Sequence, residues 1–267
     1  AMEYQILTPS DQEYPKRLLE RLGESSPELA FYHGPLDFLK RFTMAVISAD
    51  SISGLGLMAT NQLLFTIREY NLNIIGGWHS VMETEIFRLG LFRKNLTVTL
   101  FTAKGLERET FESFLETRFH PPLHEFPERD EYFRRAKEGE LLMLSVSPPQ
   151  EAKMKRPNII NRNWLACVLS DVVFVPFAEK GTKTLALAKR VLSAEIPIFT
   201  TDHEANHVLH KLGIPGLSRK SVGTYLDKLG AHRAQPSEEK HERIVLHEPT
   251  PDSEDKSPKF LQGKLNF

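Results

Sequence analysis

Short apolar runs alternate along most of the chain with longer segments in which apolar residues recur at helical spacing. The runs predict buried β-strands at residues 43–48, 72–77, 96–102, 140–146, 172–177 and 197–200. The segments between them predict helices at residues 56–70, 80–92 and 183–193. Strands that are apolar throughout and are separated by helices indicate a parallel sheet covered on both faces. We therefore predict an α/β fold with a doubly wound, mainly parallel sheet.

A change in composition marks the last part of the chain. Residues 232–258 are charged, punctuated by proline and poor in apolar side chains, so they cannot bury enough surface to offset the entropy of ordering. We interpret them as a flexible linker, after which residues 259–267 become apolar again. The predicted organisation is an N-terminal appendage packed on the core at 1–37, a main domain at 38–231, the linker and a C-terminal interaction peptide.

Composition and charge narrow the function only slightly. The 267 residues include 34 Lys+Arg and 35 Asp+Glu, a balance that is weak evidence against a nucleic-acid binder, although an average can hide local fields. The single cysteine, Cys167, excludes an internal disulfide framework and a cysteine-based zinc cluster. No apolar run approaches the roughly 20 residues that span a bilayer, so we expect a cytoplasmic protein without membrane contact.

Three loops at one edge of the predicted sheet are candidates for ligand binding. In sheets of this kind, ligands bind beyond the carboxyl ends of the strands, and amides at a helix N-terminus bind anions. Any one of these loops alone is equally well explained as a plain turn. No GxGxxG or Walker motif is present, which disfavours a classical dinucleotide or NTP site. The candidate phosphate-binding residues in the three loops are Ser48, Ser53, Gly54, Gly56, Gly76, Gly77, Lys180, Gly181, Thr182 and Lys183.

Several motifs are similar to one known family. Residues 162–175 read RNWLACVLSDVVFV, residues 181–182 form a Gly-Thr turn, and residues 11–18 and 27–34 read DQEYPKRL and PELAFYHG. These stretches, with residues 206–213, resemble the DNA-processing protein A (DprA/Smf) family. The resemblance implies a Rossmann-like fold that binds single-stranded DNA without catalysis, acts in DNA uptake and recombination, delivers strands to a RecA-type recombinase and often forms a homodimer.

The chain departs from the family pattern at chemically important positions. The family's first loop carries Gly-Ser-Arg, whereas this chain has Ser48-Ala49-Asp50, so a carboxylate stands where an arginine would contact phosphate. The second arginine of the family's Arg-Asn-Arg triplet is Trp164, while Arg162 and Asn163 are retained.

A basic stretch beside the predicted crevice favours nucleic-acid binding. Lys153, Lys155, Arg156 and Arg162 supply the cations that contact phosphates. Trp164 and Trp78 are candidate stacking surfaces for bases, although a tryptophan in such a fold is more often part of the core.

Evidence for catalysis is weak. His79 and Glu83 lie four residues apart on a predicted helix, which could place a base beside an acid, and His120, His124 and Glu125 could imitate a metal cluster. We expect no catalytic residue, metal or cofactor. Two other function classes remain: a nucleotide- or phosphosugar-binding enzyme or sensor, and a protein-binding adaptor with a degenerate pocket.

The last six residues, QGKLNF, have the form QxxLxF. This form resembles the peptide by which bacterial replication and repair proteins bind the sliding clamp, with Leu265 and Phe267 filling an apolar pocket and Gln262 setting the register. Alternatively, Phe260, Leu261 and the same two anchors fold back onto an apolar groove of this protein or of a second copy.

Overall fold

A single sheet of nine strands organises the computed structural model, which describes residues 3–91, 93–117 and 125–235. The strands are β1 (Gln5–Leu7), β2 (Ala30–His33), β3 (Thr43–Val46), β4 (Leu72–Gly76), β5 (Leu96–Phe101), β6 (Leu141–Ser145), β7 (Val172–Phe174), β8 (Ile198–Thr201) and β9 (Gly216–Leu217). Their order in the sheet is β1-β2-β6-β5-β4-β3-β7-β8-β9. The seven strands from β6 to β9 are parallel, and β1 and β2 add an antiparallel edge.

The direction in which successive parallel strands are added to the sheet reverses between β3 and β7. From β3 the chain builds the sheet outward through β4, β5 and β6, and it then returns to the other side of β3 with β7, β8 and β9. The helices that follow β3 and β7 pack on opposite faces of the sheet, and such a reversal predicts a crevice where the two connections diverge. This is the topological switch point at which open α/β sheets bind ligands.

Helices cover both faces of the sheet, because successive strand residues point to opposite sides. Met44 and Val46 join one apolar cluster, and Ala45 and Ile47 join the other. The helices are α1 (Lys16–Leu22), α2 (Gly54–Ile67), α3 (Val81–Leu91), α4 (Phe111–Thr117), α5 (Arg129–Lys137), α6 (Arg156–Val168), α7 (Lys183–Ser193), α8 (His207–His210) and α9 (Arg219–Lys228). Helices α2, α3, α5 and α9 pack on the first face, and α1, α6 and α7 pack on the second.

The predicted doubly wound, mainly parallel sheet is confirmed, and each of the six predicted strands is present within three residues of its expected ends. The pattern of apolar residues missed β1 and β2. These short strands lie in the segment 1–37 and extend the main sheet, with Phe31 paired to Ser145. Residues Ala1–Ala234 form one compact unit, and the predicted linker beyond residue 235 and the peptide after it lie outside the described residues. No helix within the described ranges has the length and apolar character needed to cross a membrane.

Candidate functional site

The loops after β3 and β7 run side by side at the switch point. The Ile47 amide donates to the Phe174 carbonyl at 3.1 Å, and the Ala49 amide donates to the Phe177 carbonyl at 3.0 Å. The two loops are therefore joined for several residues beyond the ends of their strands. Each of them then leads to the N-terminus of a helix, α2 on one side and α7 on the other.

The N-terminus of α2 has two exposed backbone amides that the helix leaves without an acceptor. Ser53 is the N-cap, and its Oγ accepts a hydrogen bond from the Gly56 amide at 3.1 Å. The Leu57 amide donates to the Ser53 carbonyl, so the helix leaves the amides of Gly54 and Leu55 without an intrahelical acceptor. Both residues are exposed, and the positive end of the helix dipole lies at the same place.

The N-terminus of α7 repeats this arrangement across the switch point. Thr182 is the N-cap, and its Oγ1 accepts from the Leu185 amide at 3.2 Å. The amides of Lys183 and Thr184 are therefore the two without an intrahelical acceptor. Gly181 precedes the cap with a φ of +83°, a left-handed conformation that glycine adopts without strain.

Charged side chains around these two helix ends have opposite signs. Lys180 and Lys183 are exposed beside the α7 terminus and would attract an anion, whereas Asp50 is exposed in the loop leading to α2 and would repel one. The field at the crevice is therefore positive on the α7 side and weakened on the α2 side.

A buried carboxylate holds the floor of the crevice together. Glu83 on α3 is 5% exposed, and its two oxygens accept the backbone amides of Ser48 and His79, each at 3.0 Å. The Glu83 amide in turn donates to Ser80 Oγ at 3.1 Å. The side chain thus ties the loop after β3 to the loop after β4, which is a positioning role.

Arg162 on α6 connects the same floor to β5. Its Nη1 donates to the Phe101 carbonyl at 2.5 Å, and its Nη2 lies 3.3 Å from His79 Nε2. His79 Nδ1 lies 3.0 Å from the Gly77 carbonyl, so the ring donates through Nδ1 and accepts from Arg162 through Nε2. The imidazole and the Glu83 carboxylate both hold loops in place.

Close packing explains why glycine is needed at position 77. A Cβ atom there would lie 2.2 Å from Nη1 of Arg162 and 2.3 Å from its Cζ. Gly76 is buried at the end of β4, and Gly56 and Ser48 are also buried. These four candidates shape the crevice from below, while Ser53, Gly54, Lys180, Gly181, Thr182 and Lys183 are at its exposed or half-exposed rim.

Three expectations for DNA-contacting side chains need correction. Arg162 is 2% exposed and bonds to backbone, so it lies beneath the crevice instead of contacting a phosphate. Trp78 has no exposed surface, and its Nε1 donates to the Thr99 carbonyl at 3.1 Å, so it is not a stacking surface. Trp164 is 7% exposed, and the Arg190 guanidinium lies 3.8 Å from its ring centroid, so its ring is not open to a base.

The basic stretch before α6 carries less free charge than its composition indicates. Lys155 bonds to Glu151 at 2.5 Å, and this hydrogen bond, with a second one from the Lys153 amide, holds the pKa of the Glu151 carboxyl below its ordinary value. Arg156 is exposed at the start of α6, and Asn163 is half-buried. Neither has a described contact that links it to the two helix ends.

Other candidates fall outside the site. Gln262, Leu265, Phe267, His120 and His124 lie outside the described residues. Within residues 3–91, 93–117 and 125–235, no group of three His, Cys, Asp or Glu side chains is placed to hold a metal.

Sequence reasoning missed the side chain that anchors the loop after β7. Asn206 Nδ2 donates to the Pro176 carbonyl and to Thr201 Oγ1, both at 2.8 Å. The only signal for this residue was its place in the 206–213 stretch of the family pattern.

Comparison with known proteins agrees with this fold. The family model described as DNA recombination-mediator protein A matches residues 5–110. The structure of DNA processing protein A (DprA) from Streptococcus pneumoniae is similar, with a TM-score of 0.66, 19% identity and coverage of 85% of this chain and 74% of that one. The resemblance to the DprA family is confirmed.

A second DprA structure extends the comparison. The protein from Helicobacter pylori, whose structure concerns a unique single-stranded DNA binding mode, has a TM-score of 0.63 and 16% identity, with coverage of 85% of this chain and 97% of that one. No curated protein matches the sequence. The DprA family match includes the loops after β3 and β4, whereas α6 and α7 lie beyond residue 110.

Proposed function

We propose that this chain is a DprA-like DNA-processing protein that binds single-stranded DNA at the switch-point crevice. The observation that carries the proposal is the pair of capped helix N-termini, α2 and α7, on either side of the crevice. Each offers two amides without an intrahelical acceptor, and such groups bind phosphate. The DprA family match over residues 5–110 supports DNA as the source of that phosphate.

In this proposal, the protein binds the phosphate backbone of the DNA. The amides of Gly54 and Leu55 donate hydrogen bonds to one phosphate and those of Lys183 and Thr184 to another, while Lys180 and Lys183 add charge. No open tryptophan is present in the crevice to stack a base, because Trp78 and Trp164 are both covered. We therefore expect affinity that depends strongly on salt and little on sequence.

Asp50 weakens this binding. Its exposed carboxylate precedes the α2 terminus at the position where the family pattern has an arginine. Replacing it should remove repulsion between two like charges in partly screened solvent, an effect on the order of 1 kcal/mol, or about fivefold in affinity.

Three partners complete the proposal and rest on the sequence resemblances alone. The chain delivers bound strands to a RecA-type recombinase, forms a homodimer, and contacts the sliding clamp through Gln262, Leu265 and Phe267. Removing residues 262–267 should abolish capture by purified clamp and leave DNA binding unchanged, and retained capture would reject the clamp contact.

The decisive experiment is a fluorescence-anisotropy titration of labelled oligonucleotides at several salt concentrations. Lys180→Ala combined with Lys183→Ala should weaken binding and lower the slope of log affinity against log salt by about 1.4, since each phosphate contact to a single strand contributes about 0.7. Asp50→Asn should strengthen binding. The matched control, Lys16→Ala with Lys189→Ala, removes two exposed lysines that lie on α1 and in the second half of α7, away from both helix N-termini, and should change neither quantity.

Two results would overturn the proposal. The first is absence of oligonucleotide binding at low salt by the wild type and by Asp50→Asn. The second is thermal stabilisation by mononucleotides but not by oligonucleotides, which would identify a nucleotide-binding protein on the same fold.

A further inference from the structure

An exposed aromatic ring lies between two arginines at the far end of α2. Phe65 is 40% exposed, and the guanidinium carbons of Arg68 and Arg219 lie 4.6 and 5.2 Å from its ring centroid. Arg219 begins α9, which packs against α2, so the tertiary structure brings together cations that are distant in sequence. These distances are within the range of cation–π interactions.

A groove between α2 and α3 opens beside this ring. It encloses about 370 Å³, with Leu64 and Leu89 contributing apolar surface and Phe65, Arg68 and Arg88 forming further parts of its wall. Arg88 pairs with Glu85 at 3.1 Å and with Glu128 at 3.3 Å, so this part of the wall carries one more carboxylate than cations. The groove therefore has an apolar floor, a cationic wall at Arg68 and an acidic side at Glu85 and Glu128.

Arg93 adds a third cation, and we call Arg68, Arg93 and Arg219 the arginine cluster. Burial lowers the pKa of Arg68, and repulsion from Arg93 and Arg219 lowers it further. The charge of Glu69 raises the pKa of Arg68, but the Glu69 carboxylate forms its ion pair with Arg233, at 3.0 Å. Among the described residues, no carboxylate forms a salt bridge with a member of the cluster.

The outer face of α2 leads from the cluster to the crevice. Leu55 and Met58 are 63% and 61% exposed, and with Phe65 they lie on one side of the helix because they are spaced by three and seven residues. Polar residues usually occupy such an outer face. The helix has 14 residues and is about 21 Å long, and the exposed Gln62 lies between Met58 and Phe65 on this side, so the path between the two regions is partly apolar.

We propose that the arginine cluster and Phe65 form a second binding site for single-stranded nucleic acid, separate from the crevice and connected to it along α2. The cations bind phosphates, and a base lies against Phe65 and enters the α2–α3 groove. A positive groove with aromatic faces is the usual arrangement of single-strand sites. The connection along α2 rests on the proposed function of the crevice, whereas the cluster itself does not.

Oligonucleotide length tests the connection between the two sites. A stacked strand rises about 3.4 Å per nucleotide, so roughly six nucleotides cover the length of α2 and a longer strand is needed to occupy both ends. A strand held at both sites gains from the high effective concentration of its second half. Wild-type protein should therefore bind a 20-nucleotide strand much more tightly than a 6-nucleotide strand.

The cluster variant is Arg68→Ala with Arg219→Ala, measured beside the crevice variant Lys180→Ala with Lys183→Ala and the control Lys16→Ala with Lys189→Ala. We expect the cluster variant to bind the 20-nucleotide strand at least about tenfold more weakly, to lose most of the preference for length, and to have a salt slope lower by about 1.4. Phe65→Ala should weaken binding of the long strand without changing the salt slope, because it removes stacking but no charge.

The outcomes separate the two proposals. If only the crevice variant loses binding, the second site is rejected and the proposed function stands. If only the cluster variant loses binding, the second site stands and the crevice is rejected. Equal competition by polyglutamate and by an oligonucleotide would overturn the second site, since a site that accepts any polyanion does not recognise bases.

Discussion

Substituting alanine for Gly77 tests whether Arg162 holds the floor of the crevice. The added Cβ would lie 2.2 Å from Nη1, so the guanidinium must withdraw from the Phe101 carbonyl and from His79. Hydrogen bonds to charged groups are each worth about 1.5–3 kcal/mol, and the entropic gain of Gly→Ala offsets roughly 0.4–1 kcal/mol. Gly77→Ala should therefore reduce the free energy of unfolding by about 2–5 kcal/mol.

The assay is urea denaturation followed by circular dichroism, with Gly54→Ala as the control. A Cβ at Gly54 has no atom within 4 Å, so this variant should unfold within about 0.5 kcal/mol of the wild type. A double-mutant cycle adds Arg162→Ala. Once the guanidinium is gone, Gly77→Ala should cost little more, which gives a coupling energy of about 2–4 kcal/mol. Additive effects of Gly77→Ala and Arg162→Ala would refute the reasoning.

Three further predictions concern buried groups. Glu83→Gln offers one acceptor oxygen to two amides and should cost about 1–3 kcal/mol in urea denaturation, whereas an unchanged midpoint would mean that the carboxylate is dispensable. Burial raises the pKa of the Cys167 thiol, so Ellman's reagent should react only as fast as the protein opens, and rapid reaction at neutral pH would contradict this. Burial, with a hydrogen bond to Asp227, raises the pKa of Tyr70 to about 12. The unfolded chain loses this proton near pH 10, so the free energy of unfolding should fall between pH 10 and 12. Tyr70→Phe should reduce that fall, and a variant with the same alkaline pH dependence as the wild type would contradict the assignment.

The elements predicted from the sequence are those whose apolar residues follow a regular spacing within a short stretch of chain. Both faces of β3 and β4 are buried, so apart from Thr43 and Asn73 these strands have no polar side chain and are visible without alternation. Helix α7 matched its predicted bounds because its apolar residues follow helical spacing and Thr182 caps it. In contrast, β1 has three residues and two of them are exposed, so it carries almost no pattern and depends on pairing with β2.

The site was predicted less completely, for a physical reason. The glycine- and hydroxyl-rich loops were predicted to lie together at one sheet edge, because the carboxyl ends of parallel strands meet there. The direction of a side chain does not follow from topology. Arg162 and Trp78 are residue types that bind nucleic acid, but both satisfy their polar groups on backbone carbonyls inside the protein.

The sequence by itself determined the α/β class, the positions of six strands and three helices, and the three loops at one edge, since each depends on residues within a few positions of one another. Only the tertiary structure decided which cations face outward and which groups meet across the chain. Arg162 is buried because α6 packs its side chain against Gly77 and β5, and Arg219 stacks on Phe65 because α9 packs on α2. Burial and long-range contact depend on the packing of whole elements, and no local pattern encodes them.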